Sequence, residues 1–556
     1  MRTLDAELAG RGPTIEAWSL PVLTAAAAAV GGLLIVLPLL LNAYLPFEDL
    51  PNHIARRHMI AGADPALAAH FQLQGGLGTN AAVDMAWQIR MWFAPVSAQD
   101  AIAFSHWAIG FAMLGFVASV MILHRVLHGH WSPWPLLAGL LVYNGNVLWG
   151  FENFVVTLPL GILGFALWIA ARRAAPLLRL ALTLGVVAAL HLGHVLVLLA
   201  YAILVFGYEG GRVWRPGRNG RTLDLRAPDW LGVAVITAAC LMHLLLSVSA
   251  PAPGYGTTTS FGPLSERVQI ILSPFGAQMM TGSLLQPLID QSIALLCILV
   301  ILWVLAGRVG ATFLLASSMR GPLLLLGLVT LLMPVQLSGV YFTHLRFPVL
   351  LFGVLIAASD LKPIVPRASA FVGCLVLALL SAIAVRSYVL DRASRAYSEQ
   401  ITALTELAGV AGADMPAGAR VLPVVGQQTD PVTTRHFHTA AYLVPLAEVF
   451  VPTLFVGGSH SLGMVSAKEH LSAPQPSAVP AAVLELPANR WSPAFDESWA
   501  FARGWTLNYS HVLLIGSVHD EFASQFGLQL LAQEGTKSIF FLEDASDRND
   551  ELPSSD

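Results

Sequence analysis

The sequence contains few charged residues, and this scarcity excludes the commonest class of protein. Only 12% of its 556 residues are Asp, Glu, Lys or Arg, whereas 56% are hydrophobic. A soluble globular domain normally carries about 25% charged residues. Apolar runs of about 20 residues, the length that crosses a bilayer as a helix, recur between residues 20 and 387. The composition therefore predicts a polytopic α-helical membrane protein.

Cysteine is scarce too, and the motifs of several soluble enzyme families are missing. The three cysteines, Cys240, Cys297 and Cys374, all lie in apolar runs, where a thiol behaves as a small buried hydrophobic group. No disulfide framework or CxxC metal site can therefore form after residue 374. There is no GxGxxG or GxxxxGKS/T phosphate loop, no GxSxG elbow and no HExxH helix. These absences argue against a site for a nucleotide sugar.

Lysine is almost absent, and the charges are distributed unevenly along the chain. Arginine outnumbers lysine 27 to 3, as is typical of a GC-rich bacterial genome. Residues 388–556 carry a net charge of −10 and residues 1–387 a net charge of +6. Such a change of sign indicates a domain boundary near residue 388. The acidic part is not suited to bind nucleic acid, so no nucleic-acid partner is expected.

The chain after residue 387 has the pattern of a folded domain. RVLPVV and HVLLIGS predict short buried strands. DEFASQFGLQLLAQEGTKSIFFLE predicts an amphipathic helix, a glycine stop and a strand. We therefore expect an α/β domain over residues 388–545, followed by a disordered tail over 546–556.

Arginines orient the apolar runs, because positive residues collect in short cytoplasmic loops. Arg2 and Arg11 precede the first run, so the N-terminal segment 1–19 is predicted to be cytoplasmic. That run is too long for a signal peptide and lacks a cleavage site. Residues 20–387 are then expected to form about 11 membrane helices, including one near 134–150 and one near 289–306. The first outer loop covers 42–100, and the C-terminal domain lies on the outer side of a bacterial inner membrane.

The run from residue 180 to 207 is predicted to be two helices that meet at HLGH. A single long helix would place the arginine-rich loop 208–230 outside, against the charge rule. Two helices of about 14 residues would each be near 20 Å long, too short to cross the membrane alone. Such helices are stable only where protein or a watery cavity surrounds their ends. This arrangement would bury His191 and His194 on the outer side.

Ionisable groups at membrane depth are costly, so each one is a candidate functional residue. The predicted topology brings a set of polar residues to the outer face from separate helix junctions: Glu48, Asp49, His53, Arg56, Arg57, Asn144, Asn146, Glu152, Asn153, His191, His194, Glu266, Arg267, Asp290, His344 and Arg346. Structural alternatives exist for the main members of this set. An acid at 48 or 49 could cap the next helix, the arginines could lie in water or among lipid headgroups, and the histidines could be packed in the core. By contrast, His124, His128 and His130 are expected in a solvated cytoplasmic loop.

The outer set has the chemistry of sugar transfer from a lipid phosphate. A carboxylate can act as a general base or hold a divalent metal ion. Arginine and histidine can bind a phosphate, and the guanidinium fork suits two phosphate oxygens. Long apolar helices beside such a site could hold a polyprenyl tail.

The motifs EDLPNHIAR, GNVLWGFENF, HLGH and THLRF resemble those of little-characterised bacterial membrane proteins related to the GT-C superfamily of glycosyltransferases. The resemblance covers residues 20–387. It implies a catalytic acid in the first outer loop, which would be Asp49, with Glu48 as the alternative. Adjacent acids replace a separated DxD here, and their side chains diverge. The sequence therefore favours transfer without a metal ion, although a divalent metal remains an option.

The remaining candidates are expected to bind the substrate. His191, His194 and Arg346 would hold the donor phosphate, and His53 and Arg56 would position the acid. Glu152, Asn153 and His344 complete the substrate-binding set: His53, Arg56, Glu152, Asn153, His191, His194, His344 and Arg346.

The predicted function is transfer of a sugar from a polyprenyl-phosphate donor to an extracytoplasmic glycan, lipid or protein acceptor at the bilayer surface. Two alternatives stay open from the sequence. The first is a transporter or flippase for a lipid or glycan, although such proteins often contain paired broken helices and only one is predicted here. The second is a non-catalytic assembly protein with the same fold.

Overall fold

The computed structural model describes most of the chain. The described residues are 19–73, 79–217, 220–223, 229–249, 259–263, 311–337, 340–363, 366–410, 415–426, 438–454, 462–464, 478–485, 499–516, 522–534 and 537–542, together with a few isolated positions. The predicted helix at 289–306, the tail 546–556, Glu266 and Asp290 lie outside them.

The described chain contains 17 α-helices and 13 strands. The helices are α1 (Ser19–Leu41), α2 (Leu50–Gly62), α3 (Pro65–Ala68), α4 (Ala82–Phe93), α5 (Ala98–His128), α6 (Gly145–Leu148), α7 (Glu152–Ala170), α8 (Pro176–Gly193), α9 (Val195–Val213), α10 (Trp230–Ser249), α11 (Arg320–Leu332), α12 (Arg346–Ala358), α13 (Pro366–Val410), α14 (Leu443–Ala447), α15 (Ala481–Leu484), α16 (Trp505–Asn508) and α17 (Phe522–Gln525). The strands are β1 (Phe71–Leu73), β2 (Trp214–Gly217), β3 (Gly220–Leu223), β4 (Ala311–Leu315), β5 (Gln336–Leu337), β6 (Val340–Tyr341), β7 (Ser359–Pro363), β8 (Val421–Val425), β9 (Leu462–Met464), β10 (Val479–Pro480), β11 (His511–Ile515), β12 (Leu528–Glu534) and β13 (Lys537–Leu542).

The membrane part is a bundle of apolar helices. Among the described residues, α1, α5, α7, α8, α9 and α13 are long and apolar enough to cross a bilayer. Three shorter apolar helices, α10, α11 and α12, accompany them. The prediction of an α-helical membrane protein with a C-terminal α/β domain is confirmed.

Local signals fix both ends of α5, the longest of the early helices. The hydroxyl of Ser97 accepts a hydrogen bond from the backbone of Asp100, and the Asp100 carboxylate accepts one from the backbone of Ser97. This reciprocal capping box satisfies two amide groups that a helix start would otherwise leave open. At the other end Gly129 adopts φ +80°, a left-handed conformation that stops the helix. The chain therefore turns back directly after His128.

The segment 134–150, predicted as one helix, forms a 3-10 helix followed by the short α-helix α6. Residues Trp134–Leu141 form a 3-10 helix, and α6 follows after a short turn. The Trp134 indole donates to Ser359 Oγ at 3.0 Å, and the Asn146 amide donates to the Leu345 carbonyl at 3.1 Å. These contacts lie at opposite ends of α12. A 3-10 helix rises about 2.0 Å per residue, so eight residues cover about 16 Å, and the segment runs alongside the 13-residue α12.

The predicted break at HLGH is confirmed, but the two helices are longer than predicted. His194 has an extended backbone, with φ −161° and ψ 123°, between α8 and α9. The helices have 18 and 19 residues, which corresponds to about 27 Å each. The prediction that they are too short to cross is therefore wrong. One cause is that α8 begins at Pro176, where proline suits the first helical turn.

The other cause lies at the end of α9, where Glu209 continues the helix beyond the apolar run. Glu209 is 3% exposed. Its carboxylate accepts a hydrogen bond from the Trp168 indole at 2.9 Å and pairs with Arg212. A paired carboxylate can be buried where a free one could not, so the polar sequence after residue 207 does not end the helix.

The C-terminal domain is built on a five-stranded mixed sheet in the order β10-β8-β11-β13-β12. β8 is parallel to β10 and β11, whereas β11, β13 and β12 are antiparallel neighbours. The strands predicted from RVLPVV and HVLLIGS are β8 and β11, both buried. The helix predicted in DEFASQFGLQLLAQE is wrong beyond Gln525, because Leu528–Glu534 forms β12, which pairs with β13.

The segment between α1 and α5, which the sequence predicts as the first outer loop, shares one hydrophobic core with the C-terminal domain. Met59 of α2 and Phe71 of β1 belong to the same buried cluster as strands β8 and β11. β1 pairs antiparallel with β9 of the domain, and His58 Nε2 lies 2.6 Å from Glu448 Oε1. The helix α13 continues without interruption from the membrane part into the domain. The domain is thereby held directly over the loop that carries Asp49.

Candidate functional site

The two adjacent acids of the first outer loop face different partners. Asp49 occupies the N-cap position of α2 but makes no side-chain capping hydrogen bond. Its Oδ1 lies 3.3 Å from Nε2 of His438, and its side chain is 15% exposed. Glu48 is 6% exposed and interacts electrostatically with Tyr397 of α13. The two carboxylates therefore have different partners in the structure.

The turn around α6 is hydrogen-bonded to the backbone of residues 45–49, which we call the acid loop. The amides of Glu48 and Asp49 donate to the carbonyls of Leu148 and Trp149 at 3.1 and 3.0 Å. Gly150 has φ +74°, and a Cβ placed there would lie 2.9 Å from the backbone nitrogen of Asp49. Only glycine allows both this conformation and this close approach.

Asparagines stabilise the same turn. The Asn144 side chain accepts hydrogen bonds from the backbone and side-chain amides of Asn146, and Asn146 donates in turn to the carbonyl of Leu345. The motif GNVLWGFENF thus connects the acid loop to the segment before α12. The asparagines serve the architecture of the site.

Helix α2 carries its arginines into the interior. Arg56 pairs with Asp84 of α4 at 3.1 Å. Arg57 donates to Ser105 of α5 and to Glu152 of α7. The two arginines are 1% and 0% exposed, so the alternative that they lie on a solvated helix face is wrong. Burial of a guanidinium requires a hydrogen-bonded counter-charge, and each has one.

His53 and Asn153 complete this polar layer beneath Asp49. His53 Nδ1 lies 3.9 Å from Glu152 Oε2. Oε1 of Glu152 and Oδ1 of Asn153 are buried, and within the described part of the chain neither has a hydrogen-bond partner. A buried acceptor without a partner loses free energy, so both oxygens are open to a donor group.

Arg346 is the central cation of the site. It begins α12, its guanidinium lies 4.3 Å from the ring centre of Phe151, and it is 6% exposed. It interacts electrostatically with Asp49, His194 and His344. The structure therefore brings together residues from the first outer loop, the HLGH break and the THLRF motif. The alternative in which Arg346 extends into lipid headgroups is wrong because the side chain is buried.

The two histidines of HLGH occupy different places. His194 is buried, and its ring lies 5.4 Å from that of Phe154, edge to face. Its Nδ1 accepts a hydrogen bond from the backbone of residue 196, so Nδ1 is already satisfied. His191 lies one turn earlier, with its ring 5.9 Å from that of His243 on α10. The structure places His194 near Arg346, and both His191 and His194 lie near His243 of α10.

Two residues of the site, His438 and Asp84, were not among the sequence candidates, and Arg57 was a member of the outer polar set without an assigned role. His438 belongs to the C-terminal domain and reaches Asp49. Asp84 pairs with Arg56, and Arg57 pairs with Glu152. Nothing local in the sequence joins positions 49 and 438. One feature of the sequence could have predicted the pairing of Arg57 with Glu152. The two residues have opposite charges and were predicted to lie at the same membrane depth.

An apolar groove lies between α1 and α5, next to the acid loop. Its volume is about 340 Å³. Leu39, Leu40 and Asn42 line it from α1 and its end, and Trp107 and Phe111 line it from α5. The groove includes the last turn of α1, from which the chain leads directly to Glu48 and Asp49.

Comparison with known proteins finds similarity to solved structures alone. No protein-family model and no curated protein sequence matches the chain. The crystal structure of ArnT from Cupriavidus metallidurans in the apo state is similar, with 12% sequence identity and a TM-score of 0.48 over 93% of this chain and 97% of that chain. With these values the likeness assigns neither a substrate nor a role for any residue.

Proposed function

We propose that the protein is a membrane glycosyltransferase that moves a sugar from a polyprenyl-phosphate donor to an extracytoplasmic acceptor. The observation that carries the proposal is the placement of Asp49. It is the most exposed carboxylate of the buried polar layer, it contacts His438, and it interacts electrostatically with the cation Arg346. The proposed base, Asp49, therefore interacts with the proposed phosphate-binding residue, Arg346, near the C-terminal end of α1.

Asp49 is the base in this proposal. The acceptor hydroxyl attacks the anomeric carbon of the donor, its proton passes to Asp49, and the bond from that carbon to the phosphate oxygen breaks. The polyprenyl phosphate leaves with the electron pair. His438 is within hydrogen-bonding reach of the carboxylate and serves as a positioning residue, since it orients Asp49 from the C-terminal domain.

Glu48 and Glu152 suit this role less well. Glu48 is more deeply buried than Asp49 and faces α13, and Glu152 is neutralised by Arg57. A catalytic base must reach the proton that it removes, and the exposed carboxylate of Asp49 meets that condition best.

The donor phosphate is held by Arg346 in this proposal, with His194 and His344 beside it. A guanidinium can bind two phosphate oxygens in one plane, and the ring of Phe151 supports it from one side. The open oxygens of Glu152 and Asn153 accept hydrogen bonds from sugar hydroxyls, and Arg56 and His53 hold the layer beneath Asp49. His191 takes no part in phosphate binding in this arrangement.

The two ends of the reaction have separate surroundings. The groove between α1 and α5 accommodates the polyprenyl tail, because it is apolar and ends beside the acid loop. The C-terminal domain lies over Asp49 and supplies His438, so the acceptor approaches along that domain. Asp49 and Glu48 have different partners, so a divalent metal ion would be bound by one of them at most.

The test is transfer by the Asp49→Asn variant. Full-length protein in sealed proteoliposomes is supplied with a panel of polyprenyl-phosphate hexoses and pentoses labelled in the sugar, with native membrane extract as acceptor. Release of polyprenyl phosphate and transfer of the label are measured together. Loss of the base is expected to lower the rate by about 10²- to 10⁴-fold.

Asp64→Asn is the matched control, because Asp64 caps α3 in the same loop and asparagine caps a helix equally well. It is expected to retain full activity. Loss of transfer in Glu48→Gln, with Asp49→Asn active, would assign the base to Glu48 instead. Movement of intact donor across the bilayer, with no release of polyprenyl phosphate, would contradict the transferase proposal and favour a flippase.

A further inference from the structure

A second polar cluster lies at the far end of the bundle, opposite Asp49. His124 and His128 stand one turn apart near the end of α5, and Asp360 lies on β7 after α12. His124 Nε2 is 3.3 Å from Asp360 Oδ1, and His130 Nε2 is 3.1 Å from Asp360 Oδ2. His124 is 1% exposed, so the prediction that these histidines lie in a solvated loop is wrong for it.

The backbone forms this cluster from two separate parts of the chain. Residues four apart on a helix lie on the same face, and the rings of His124 and His128 are 4.5 Å apart. The left-handed turn at Gly129 returns His130 to the same place. β7 enters from the end of α12, where it pairs with β4. Ligand atoms of His124, His128 and Asp360 all lie within 4.8 Å of one another.

We propose that this cluster binds a zinc ion, independently of the proposed transferase activity. His124, His128 and Asp360 supply three ligands. His130 lies outside that group, 3.1 Å from Asp360 Oδ2, and would supply the fourth ligand after a rotation of its side chain. Zinc in proteins takes four ligands in a tetrahedron, with imidazole and carboxylate donors among them. Three imidazoles and a carboxylate also favour zinc over magnesium and calcium, which prefer oxygen ligands.

The burial of Asp360 supports a cation at this place. Its side chain is 2% exposed, and its ion pairs with the described residues are all to histidines. A buried carboxylate needs a positive partner. A divalent ion shared by the histidines would supply that charge.

The position of the cluster indicates what the ion does. It joins the end of α5 to the strand after α12, and His128 lies 3.2 Å from the carbonyl of Ala358 at the end of α12. The opposite end of α12 begins with Arg346. A zinc ion here would cross-link α5 to the end of α12 and stabilise the helix bundle at the end remote from Asp49.

The experiment measures zinc in the full-length protein, purified in detergent without an affinity tag. After dialysis against zinc-free buffer, zinc is determined by mass spectrometry, and affinity is measured by competition with a chromogenic chelator. About one zinc per chain is expected, with a visible absorption band of tetrahedral geometry after replacement by cobalt. Zinc is also expected to raise Tm, because a ligand that binds only the folded state stabilises it.

The variants locate the site. His128→Gln removes a partly buried ligand, and His130→Asn changes a side chain that is 49% exposed, so its metal-free fold is retained. Each is expected to weaken zinc binding at least about tenfold, while the Tm of His130→Asn in a chelator equals that of the wild type. Arg125→Gln, an exposed residue of the same helical turn, is the matched control and keeps full affinity.

Two results would overturn the proposal. One is a wild-type protein that neither retains zinc nor changes its Tm when zinc is added, which would leave a hydrogen-bonded cluster of histidines and aspartate. The other is equal zinc binding by the wild type, His128→Gln and His130→Asn, which would place the ion elsewhere in the molecule.

Discussion

At the scale of the residue, the site consists of charges that the fold has taken out of water. Arg56, Arg57, Glu152 and Asp84 are all buried and all paired. Desolvation of such charges costs several kcal/mol for each ion, and pairing offsets that cost only if both partners stay. Asp49 differs because its carboxylate keeps some contact with solvent. Solvent contact would allow Asp49 to exchange a proton, whereas the buried pairs stabilise the structure around it.

A substitution in the buried pair tests this view. Glu152→Gln removes the negative charge and leaves Arg57 buried without its counter-ion, so we expect a loss of about 3–5 kcal/mol in the free energy of unfolding. The Tm of the purified protein is the measurement. Arg395→Gln is the control, since the Arg395 side chain is 64% exposed, Asp391 keeps its hydrogen bond from Asn42, and ion pairs with an exposed partner contribute at most about 1 kcal/mol. Equal shifts in the two variants would mean that the buried pair adds nothing specific.

At the scale of the element, short irregular segments position the reactive groups. The α6 turn carries the acid loop, the extended residue between α8 and α9 carries His194, and a 3-10 turn precedes α12 and Arg346. Non-helical backbone at membrane depth is tolerated only inside protein or beside a cavity. The long helices around these segments supply that surrounding.

The Gly150 turn gives the prediction at this scale. Gly150→Ala places a Cβ 2.9 Å from the backbone nitrogen of Asp49 and forces a left-handed conformation on alanine, which costs about 1–2 kcal/mol. We expect a lower Tm and a displaced acid loop, with transfer activity reduced by as much as about 10²-fold. Melting curves and the labelled-donor assay measure the two effects.

Gly185→Ala is the comparison, because a Cβ at that position in α8 meets no atom within 4 Å. Alanine in a helix interior is favoured over glycine by about 0.5–1 kcal/mol, so its Tm should equal or exceed that of the wild type. Wild-type activity in Gly150→Ala would show that the close approach is not needed to position Asp49.

At the scale of the whole molecule, the first outer loop and the C-terminal domain behave as one body. They share a hydrophobic core and a strand pair, although nearly 400 residues separate them in sequence. The contact between Asp49 and His438 lies inside that body. The C-terminal domain is therefore part of the candidate site and not an appendage to the membrane part.

Hydrogen exchange can test this unity. Phe450 is 1% exposed and its ring contacts His70 and Phe71 of the loop. Phe450→Ala is expected to cost about 3–5 kcal/mol and to raise exchange both in α2 and in β8. The control Phe93→Ala, at a side chain that is 82% exposed, should change neither. Faster exchange in β8 alone would indicate that the loop and the domain fold separately.

Much of the site was predictable from local sequence. The break at HLGH follows from the arginines after residue 207, and the position of Asp49 follows from the end of the first apolar run. The burial of Arg57 was not predictable, because a charge-rich segment is normally interpreted as exposed to solvent unless its ion-pair partners are known. The strand β12 was missed for a similar reason. The residues LQLLAQE have high helix propensity, and they form a strand because they pair with β13.

The sequence by itself determined the class of the protein and the ends of apolar segments where polar groups collect, because hydrophobic length is a local property of the chain. The tertiary structure alone decided which of those groups meet. Residues 49 and 438, 57 and 152, and 124 and 360 are far apart in sequence, and only packing in three dimensions brings their charges within a few ångströms. The strength of a charge pair depends on distance and burial, and neither quantity is a property of one segment of sequence.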